Sequence, residues 1–166
     1  MKTKVQPGFK YLVQILDKAG NVRDTEVVHN LMPVQGLDHM VGVTLKGSAQ
    51  LTSWYVGIYQ GNYTPVGADT AATFPASATE CTNYTAGTRP ALTLGAVAAG
   101  SVDNGASRAE FVMSANRTLY GGFVASAAAK GSTAGVLLSA VRFTSPKALE
   151  SGETLRVIAA FALTSN

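Results

Sequence analysis

Charged side chains are few in this sequence. Lys, Arg, Asp and Glu together make up 14% of its 166 residues, against about 25% in an average soluble domain. Because a monomeric protein normally keeps a well-charged surface for solubility, this scarcity predicts that neighbouring subunits cover part of the surface. The competing interpretation is a soluble sandwich whose surface is made polar by Thr and Ser.

Basic clusters and cysteine pairs are missing as well. The net charge is +3, and Lys and Arg are spread along the chain without the clustering that nucleic-acid binding requires. Cys81 is the single cysteine, so the sequence excludes an internal disulfide and predicts a small buried side chain. His29 and His39 fit no known zinc spacing. We therefore expect no nucleic acid, no metal and no cofactor.

No stretch of the sequence approaches the roughly 20 apolar residues of a membrane span. Pro7, Gly8, Lys10 and Gln14 interrupt any apolar core of a signal peptide near the start of the sequence. We expect no membrane contact, and we expect the chain to stay in a cytoplasm until it is assembled into something larger.

Period-two patterning and turn residues dominate the chain. Residues 9–16 and 22–28 predict a hairpin whose polar second arm suits the edge of a sheet. Residues 52–59, aromatic and β-branched, predict a central strand. Further strands are predicted at residues 80–84, 91–94, 109–115, 118–125, 136–143 and 154–163. The last of these contains an apolar run that fits a strand covered on both faces, or alternatively a buried helix.

One short helix is predicted between Pro33 and Gly47, because Leu37, Met40 and Val41 share a face at helical spacing. Short strands with regular turns are typical of a sandwich or barrel. The sequence therefore predicts an all-β, single-domain antiparallel β-sandwich over residues 9–166, with one short helix and a flexible N-terminal arm over residues 1–8.

Catalytic signatures are missing from the sequence. There is no G-x-S-x-G elbow, and the order Lys130-Gly131 fits a turn between strands better than a phosphate loop. Most carboxylates lie in or beside turns. Glu80 and Glu110 are the exceptions, and each is expected to pair with an arginine rather than to form the facing carboxylate pair of a glycosidase. We expect that the protein is not an enzyme.

Aromatic residues concentrate in one part of the sequence, at Trp54, Tyr55, Tyr59 and Tyr63. Aromatic faces can form a platform for sugar rings, so Trp54, Tyr55 and Tyr63 are candidates for binding a glycan. The alternative interpretation is that they are core aromatics of a strand, with one further tyrosine in a loop.

Ordered segments from His29 onward resemble a family of small virion proteins of tailed bacteriophages. The segments are His29-Asn30-Leu31, Gly36-Leu37, residues 53–59, Tyr63-Thr64-Pro65, Tyr84, Thr88-Arg89-Pro90, Gly121-Gly122-Phe123, residues 130–135, residues 137–140, residues 143–147 and residues 151–155. Residues 1–28 lie outside the resemblance, which brings no catalytic motif with it.

The resemblance implies a capsid cement or decoration protein, which clamps neighbouring major capsid proteins on the outside of the shell. It also implies a jelly-roll-like sandwich that acts as a dimer or trimer. In the N-terminal arm, Lys2 and Lys4 are expected to meet acidic shell residues, and Pro7 and Gly8 to set the exit angle of the arm. A frayed terminus is the alternative. The alternative function is a tail, baseplate or fibre component that binds host-surface glycan.

Overall fold

The computed structural model describes residues 5–165, which form two antiparallel sheets and two helices. This confirms the all-β prediction. In chain order the elements are β1 (Val5–Leu16), β2 (Val22–His29), α1 (Val34–Leu45), β3 (Tyr55–Tyr59), α2 (Phe74–Ser77), β4 (Ser101–Asp103), β5 (Ala109–Val112), β6 (Arg117–Ala125), β7 (Leu137–Leu149) and β8 (Thr154–Ser165).

Sheet A contains the five strands β2, β1, β8, β4 and β5. The long strand β8 lies in its centre, paired with β1 along one edge and with both β4 and β5 along the other. β2 forms an outer edge, as its polar pattern predicts. The apolar run near the end of the sequence is therefore a strand and not a buried helix.

Sheet B contains β3, β6 and β7, in that order. The register between β6 and β7 shifts at two places, between Val124 and Ala125 near the start of β7 and between Leu119 and Gly121 near its middle. Leu119 pairs with Lys147 and Gly121 with Arg142, so residues 143–146 bulge out of the ladder. Lys147, the first paired residue after the bulge, lies close to sheet A and contacts charged residues of β2.

The main core lies between the two sheets. On β1 the alternating residues Phe9, Tyr11, Val13 and Ile15 point inward and are at most 3% exposed. The buried residues of β8 oppose them in register, for example Val157 beside Val13. Burying one such side chain contributes about 1.5 to 3 kcal/mol to stability, so this alternation fixes which face of sheet A is inside.

A second, smaller core covers the other face of sheet B. There Tyr59 and Phe123 pack edge-on against Phe74, the first residue of α2. Gly57 is paired with Phe123, and a Cβ atom at Gly57 would overlap the Phe123 ring. Only glycine leaves room for the ring at that position.

Several sequence predictions differ from the structure. β3 begins at Tyr55 and lies at the edge of sheet B rather than in its centre, with isolated bridges from Glu80 and Ala91 on its outer side. The strands predicted at residues 80–84 and 91–94 form only isolated bridges, these two and a third between Tyr84 and Met113. A second helix, α2, forms between the strands predicted at residues 52–59 and 80–84, where the sequence predicts no element. β7 continues past the end predicted at residue 143 and contains Ser145-Pro146, because a bulge can accommodate proline without ending the strand.

Candidate functional site

Part of the segment predicted as an N-terminal arm belongs to a β-strand. Residues 5–8 continue β1 and pair with β8, so the strand begins before the boundary predicted at Gly8. Pro7 pairs with Leu163, and Gly8 pairs with Ala162. Pairing with β2 begins only at Lys10, so β1 has no second neighbouring strand at Pro7. Proline, which has no N–H group to donate, is tolerated at such a position. Lys2 and Lys4 lie outside the described residues.

The three aromatic candidates do not share one surface. Trp54 is half-buried against the main core and stands edge-on to His39 of α1. Tyr63 packs against Phe74 in the second core, and its hydroxyl donates to Asp69 Oδ1 at 2.7 Å. Because the two cores lie on opposite faces of sheet B, Trp54 and Tyr63 cannot stack on one sugar chain. Tyr55, which follows Trp54, begins β3.

An apolar cleft lies beside Trp54, between α1 and the open end of the two sheets. Its volume is about 310 Å³. The wall on the helix side includes Met40 and Val43, and the opposite wall includes Leu94 and Phe161. Gln50, Thr44 and His39 are among its few polar neighbours. A cleft of this size and character is typical of sites that take an apolar group.

Helix α1 is apolar on its outer side as well as on its inner side. Gly36 packs directly on the backbone of Leu137 and Leu138, which turns that side of the helix inward. On the opposite side Val34, Val41 and Leu45 are 55%, 54% and 75% exposed. A helix that is apolar all round is normally buried, so this outer face of α1 is a candidate contact surface.

The outer face of sheet A has an apolar row. Leu12 of β1 is paired with Val27 of β2 on one side and with Ile158 of β8 on the other. Val27 is 48% exposed, and Leu12 and Ile158 are half-buried. Polar and charged residues flank the row, among them Lys10, Gln14 and Arg156. Such an apolar strip inside a polar rim resembles the anatomy of a protein–protein interface.

The two carboxylates that stood out in the sequence both pair with arginines. Glu80 and Arg89 form a buried ion pair at 2.6 Å, with 3% and 1% of their side chains exposed. Arg89 also donates to the carbonyl oxygens of Ala127 and Ser132, and it lies over the Phe123 ring. Arg89 thereby ties the loop after β6 to the second core. Glu110 pairs with Arg156 at 2.8 Å on the surface.

The remaining polar motifs serve structural purposes in the described part of the chain. Gly131 has a φ of +71° and lies in the connection between β6 and β7, which confirms the turn predicted at Lys130-Gly131. Cys81 is fully buried, as predicted, and burial raises the pKa of its thiol. Among residues 5–165 no group of three or more His, Cys, Asp or Glu side chains is arranged to hold a metal ion.

A charged cluster joins the edge of sheet A to sheet B. Lys147 Nζ lies 2.8 Å from Asp24 Oδ2 and 2.6 Å from Glu26 Oε2. The hydrogen bond from Lys147 lowers the pKa of Asp24. Burial alone would raise the pKa of Glu26, but hydrogen bonds from Lys147 and Thr144 outweigh it and lower that pKa too. The cluster is therefore an inter-sheet clamp held by ionised groups.

Within residues 5–165 no helix combines the length and the apolar character that crossing a membrane would take. The fold and these surfaces define a two-sheet, all-β protein with apolar outer faces. Comparisons of the chain with protein-family models, with curated proteins and with solved structures found no match.

Sequence reasoning missed the outer face of α1, although its signal was present. Val34, Val41 and Leu45 recur at spacings of seven and four residues, which places them on one side of a helix. Leu37, Met40 and Val41 were predicted to share a face of this helix. Leu37 and Met40 pack against the main core, whereas Val41 lies toward the outer side and is 54% exposed.

Proposed function

We propose that the chain is a structural protein of a virus particle, a capsid cement or decoration protein that bridges major capsid proteins from outside the shell. The observation that carries this proposal is the combination of very few charges with apolar outer faces on a well-packed β-sandwich. The resemblance of the segments from His29 onward to tailed-phage virion proteins supports it. A jelly-roll topology and a location in the virion are part of the proposal.

The outer face of sheet A is the shell-contacting surface in this proposal. Val27, Leu12 and Ile158 form its apolar centre, and the surrounding charged residues form a rim. An interface of standard size buries roughly 1,600 Å² in total. Repeating one modest contact at every site of a shell adds avidity without any further chemistry.

The N-terminal residues remain a second contact in the proposal, through Lys2 and Lys4. Deleting residues 1–8 would also remove four paired residues of β1, so loss of binding would have two explanations. Replacing Lys2 and Lys4 with Glu keeps the strand and reverses only the charge. We expect this double variant to bind shells more weakly, and unchanged occupancy would remove the arm from the proposal.

The decisive experiment is gel densitometry of purified particles. A cement protein is present in hundreds of copies per particle, whereas tail components are present in a few dozen or fewer. Recombinant protein is then added to particles that lack it. Ile158→Glu should fail to bind, while the control Val22→Glu, on the same sheet but at the hairpin end, should bind like the wild type. A copy number of a few dozen, or full binding by Ile158→Glu, would contradict the proposal.

The second candidate function is a tail, baseplate or fibre component that binds a host glycan. The half-buried Trp54 at the apolar cleft favours it, because an aromatic ring beside a few polar groups suits one sugar ring. A glycan array with the wild type and Trp54→Ala tests this candidate. Binding that is lost in Trp54→Ala but kept in Tyr63→Phe would support it, and an array without signal would speak against it.

A further inference from the structure

We infer that Asn104 is a deamidation site that the native fold protects. Unfolding exposes the site, and conversion of Asn104 to aspartate or isoaspartate then prevents the chain from rebuilding the native pairing around β8. Asn104-Gly105 is the one Asn-Gly pair in the sequence, and it lies in the turn between β4 and β5. This inference concerns the free protein and does not depend on the proposed role in a virus particle.

The side chain of Asn104 fills a gap in the backbone pairing of β8. β4 pairs with residues 160–162 of β8 and β5 pairs with residues 154–157, so Ala159 lies outside both ladders. Oδ1 of Asn104 accepts the N–H group of Ala159 at 2.7 Å, and Nδ2 donates to the carbonyl oxygen of Val157 at 3.3 Å. The carboxamide therefore takes the place of a backbone peptide group of a neighbouring strand.

Deamidation converts this carboxamide through a ring that includes the next residue. The backbone nitrogen of Gly105 gives up its proton and attacks Cγ of Asn104. As the new N–Cγ bond forms, the bond between Cγ and Nδ2 breaks, and Nδ2 leaves as ammonia with the proton. Water then opens the succinimide ring, either at the new bond to give aspartate or at the original peptide bond to give isoaspartate. Glycine favours the attack because it has no side chain to crowd the ring.

The folded protein opposes each step of this reaction. The N–H group of Gly105 donates to Oδ1 of Asp103 at 2.7 Å, which keeps the proton on the nitrogen. Asn104 is 1% exposed, and its bonds to β8 hold the carboxamide away from free rotation and from water. The reaction therefore requires that Asn104 first leave β8, which takes local or global unfolding.

Neither product can replace the carboxamide. An ionised carboxylate has no N–H group to donate, so it would place a negative charge beside the carbonyl oxygen of Val157. Burying a charge without a partner is strongly unfavourable. Isoaspartate also adds a methylene group to the main chain in the short turn that sets the positions of β4 and β5. A converted chain should therefore fail to regain the native pairing of both strands with β8.

The first experiment compares deamidation of the full chain in buffer and in guanidinium chloride at the same pH and temperature. Peptide mapping by mass spectrometry follows Asn104, and Asn116 is the internal control because it is exposed and is followed by arginine. In denaturant Asn104 should convert faster than Asn116. Folding should slow the conversion of Asn104 by at least about tenfold.

Gly105→Ala tests the proposed attack. Its methyl group crowds the attacking nitrogen, so Asn104 should convert more slowly in denaturant than it does in the wild type. The variant should fold, because the added Cβ atom meets only the side chain of Asp103, which is on the surface. Conversion as fast as in the wild type would contradict the proposed route.

The second experiment tests the consequence of conversion. Asn104→Asp should lower the urea midpoint of unfolding by about 0.5 to 1.5 M. The matched variant Asn116→Asp should stay within about 0.2 M of the wild type, because its carboxylate can still accept the N–H group of Ser151.

The wild type supplies the same readout if Asn104→Asp does not fold. Chains that are converted in denaturant should stay unfolded after dilution, while unconverted chains from the same sample refold. Equal conversion of Asn104 in folded and unfolded protein would overturn the inference. Refolding of converted chains with the midpoint of the wild type would overturn it as well.

Discussion

The edge strand β2 and the helix α1 are neighbours in the sequence but have opposite surfaces. On β2 the charged residues Arg23, Asp24 and Glu26 all have ion-pair partners in β7 or in the turn that follows it. On the outer face of α1, Asp38 is the single charge among three apolar side chains. Both surfaces border solvent, but the charged side chains of β2 form ion pairs with other parts of the protein, whereas the apolar side chains of α1 are exposed.

The difference shows how this chain uses its few charges. A strand at the edge of a sheet presents unpaired backbone groups, and charged side chains there discourage the addition of a foreign strand. A helix satisfies its own backbone groups, so its outer face needs no such protection and can remain apolar. The charged residues therefore lie on the edge strand, where a foreign strand could pair, and the outer face of α1 stays available for a specific contact.

The largest expected effect comes from breaking the clamp on β2. Lys147→Met leaves Asp24 and Glu26 without their cation, and we expect the free energy of unfolding to fall by about 2 kcal/mol. The loss stays below that of a fully buried pair because 40% of the Asp24 side chain is exposed. Urea denaturation measures it. Lys18→Met, at the exposed ion pair with Glu150, is the control and should change stability by less than about 0.5 kcal/mol.

Acid should weaken the same clamp. Contacts with Lys147 lower the folded-state pKa values of Asp24 and Glu26, and a contact with Arg23 lowers that of the neighbouring Glu153. Their contribution is therefore complete above the unfolded values of about 4 and is lost as the pH falls through the folded values. Melting temperatures between pH 6 and pH 2.5 should drop mainly below pH 4. Lys147→Met should show a shallower drop, and an equally steep one would contradict the role of the clamp.

The smallest expected effect is at the open surface of α1. Leu45→Ser removes a side chain that is 75% exposed, so the monomer should lose less than about 0.5 kcal/mol of stability. Urea denaturation measures this loss. A loss comparable to that of Lys147→Met would mean that the face of α1 supports the fold, and the contrast between the two regions would disappear.

Much of the fold could be predicted from local patterns. The hairpin of β1 and β2 follows from alternation and a turn at residues 17–21, where the carboxylate of Asp17 accepts the N–H groups of Ala19 and Asn21. The limits of β3 could not be predicted in this way. Its aromatic sequence suits a central strand, but its outer side meets only the isolated bridges of Glu80 and Ala91. Strand order depends on long-range pairing, which a local pattern does not contain.

The candidate surfaces were predictable only in part. The low charge of the sequence already indicated that some surface is covered by partners, but it did not say which surface. The aromatic residues that suggested a single glycan platform are divided between two cores. Trp54 packs against the main core, whereas Tyr63 packs with Tyr59 and Phe74 in the second core, on the opposite face of sheet B. Only the packing of Gly36 on β7 reveals which side of α1 faces outward.

The sequence by itself determined the class of this protein: period-two alternation makes strands, glycine and asparagine turns separate them, and one cysteine excludes a disulfide framework. Only the tertiary structure decided which partners the charged side chains contact and which apolar side chains remain exposed. Lys147 reaches Asp24 and Glu26 across more than 100 residues of sequence because it is on the inward side of β7, which packs against the edge strand β2. Such long-range contacts depend on how the two sheets pack over a common core, and no short segment of the sequence contains that information.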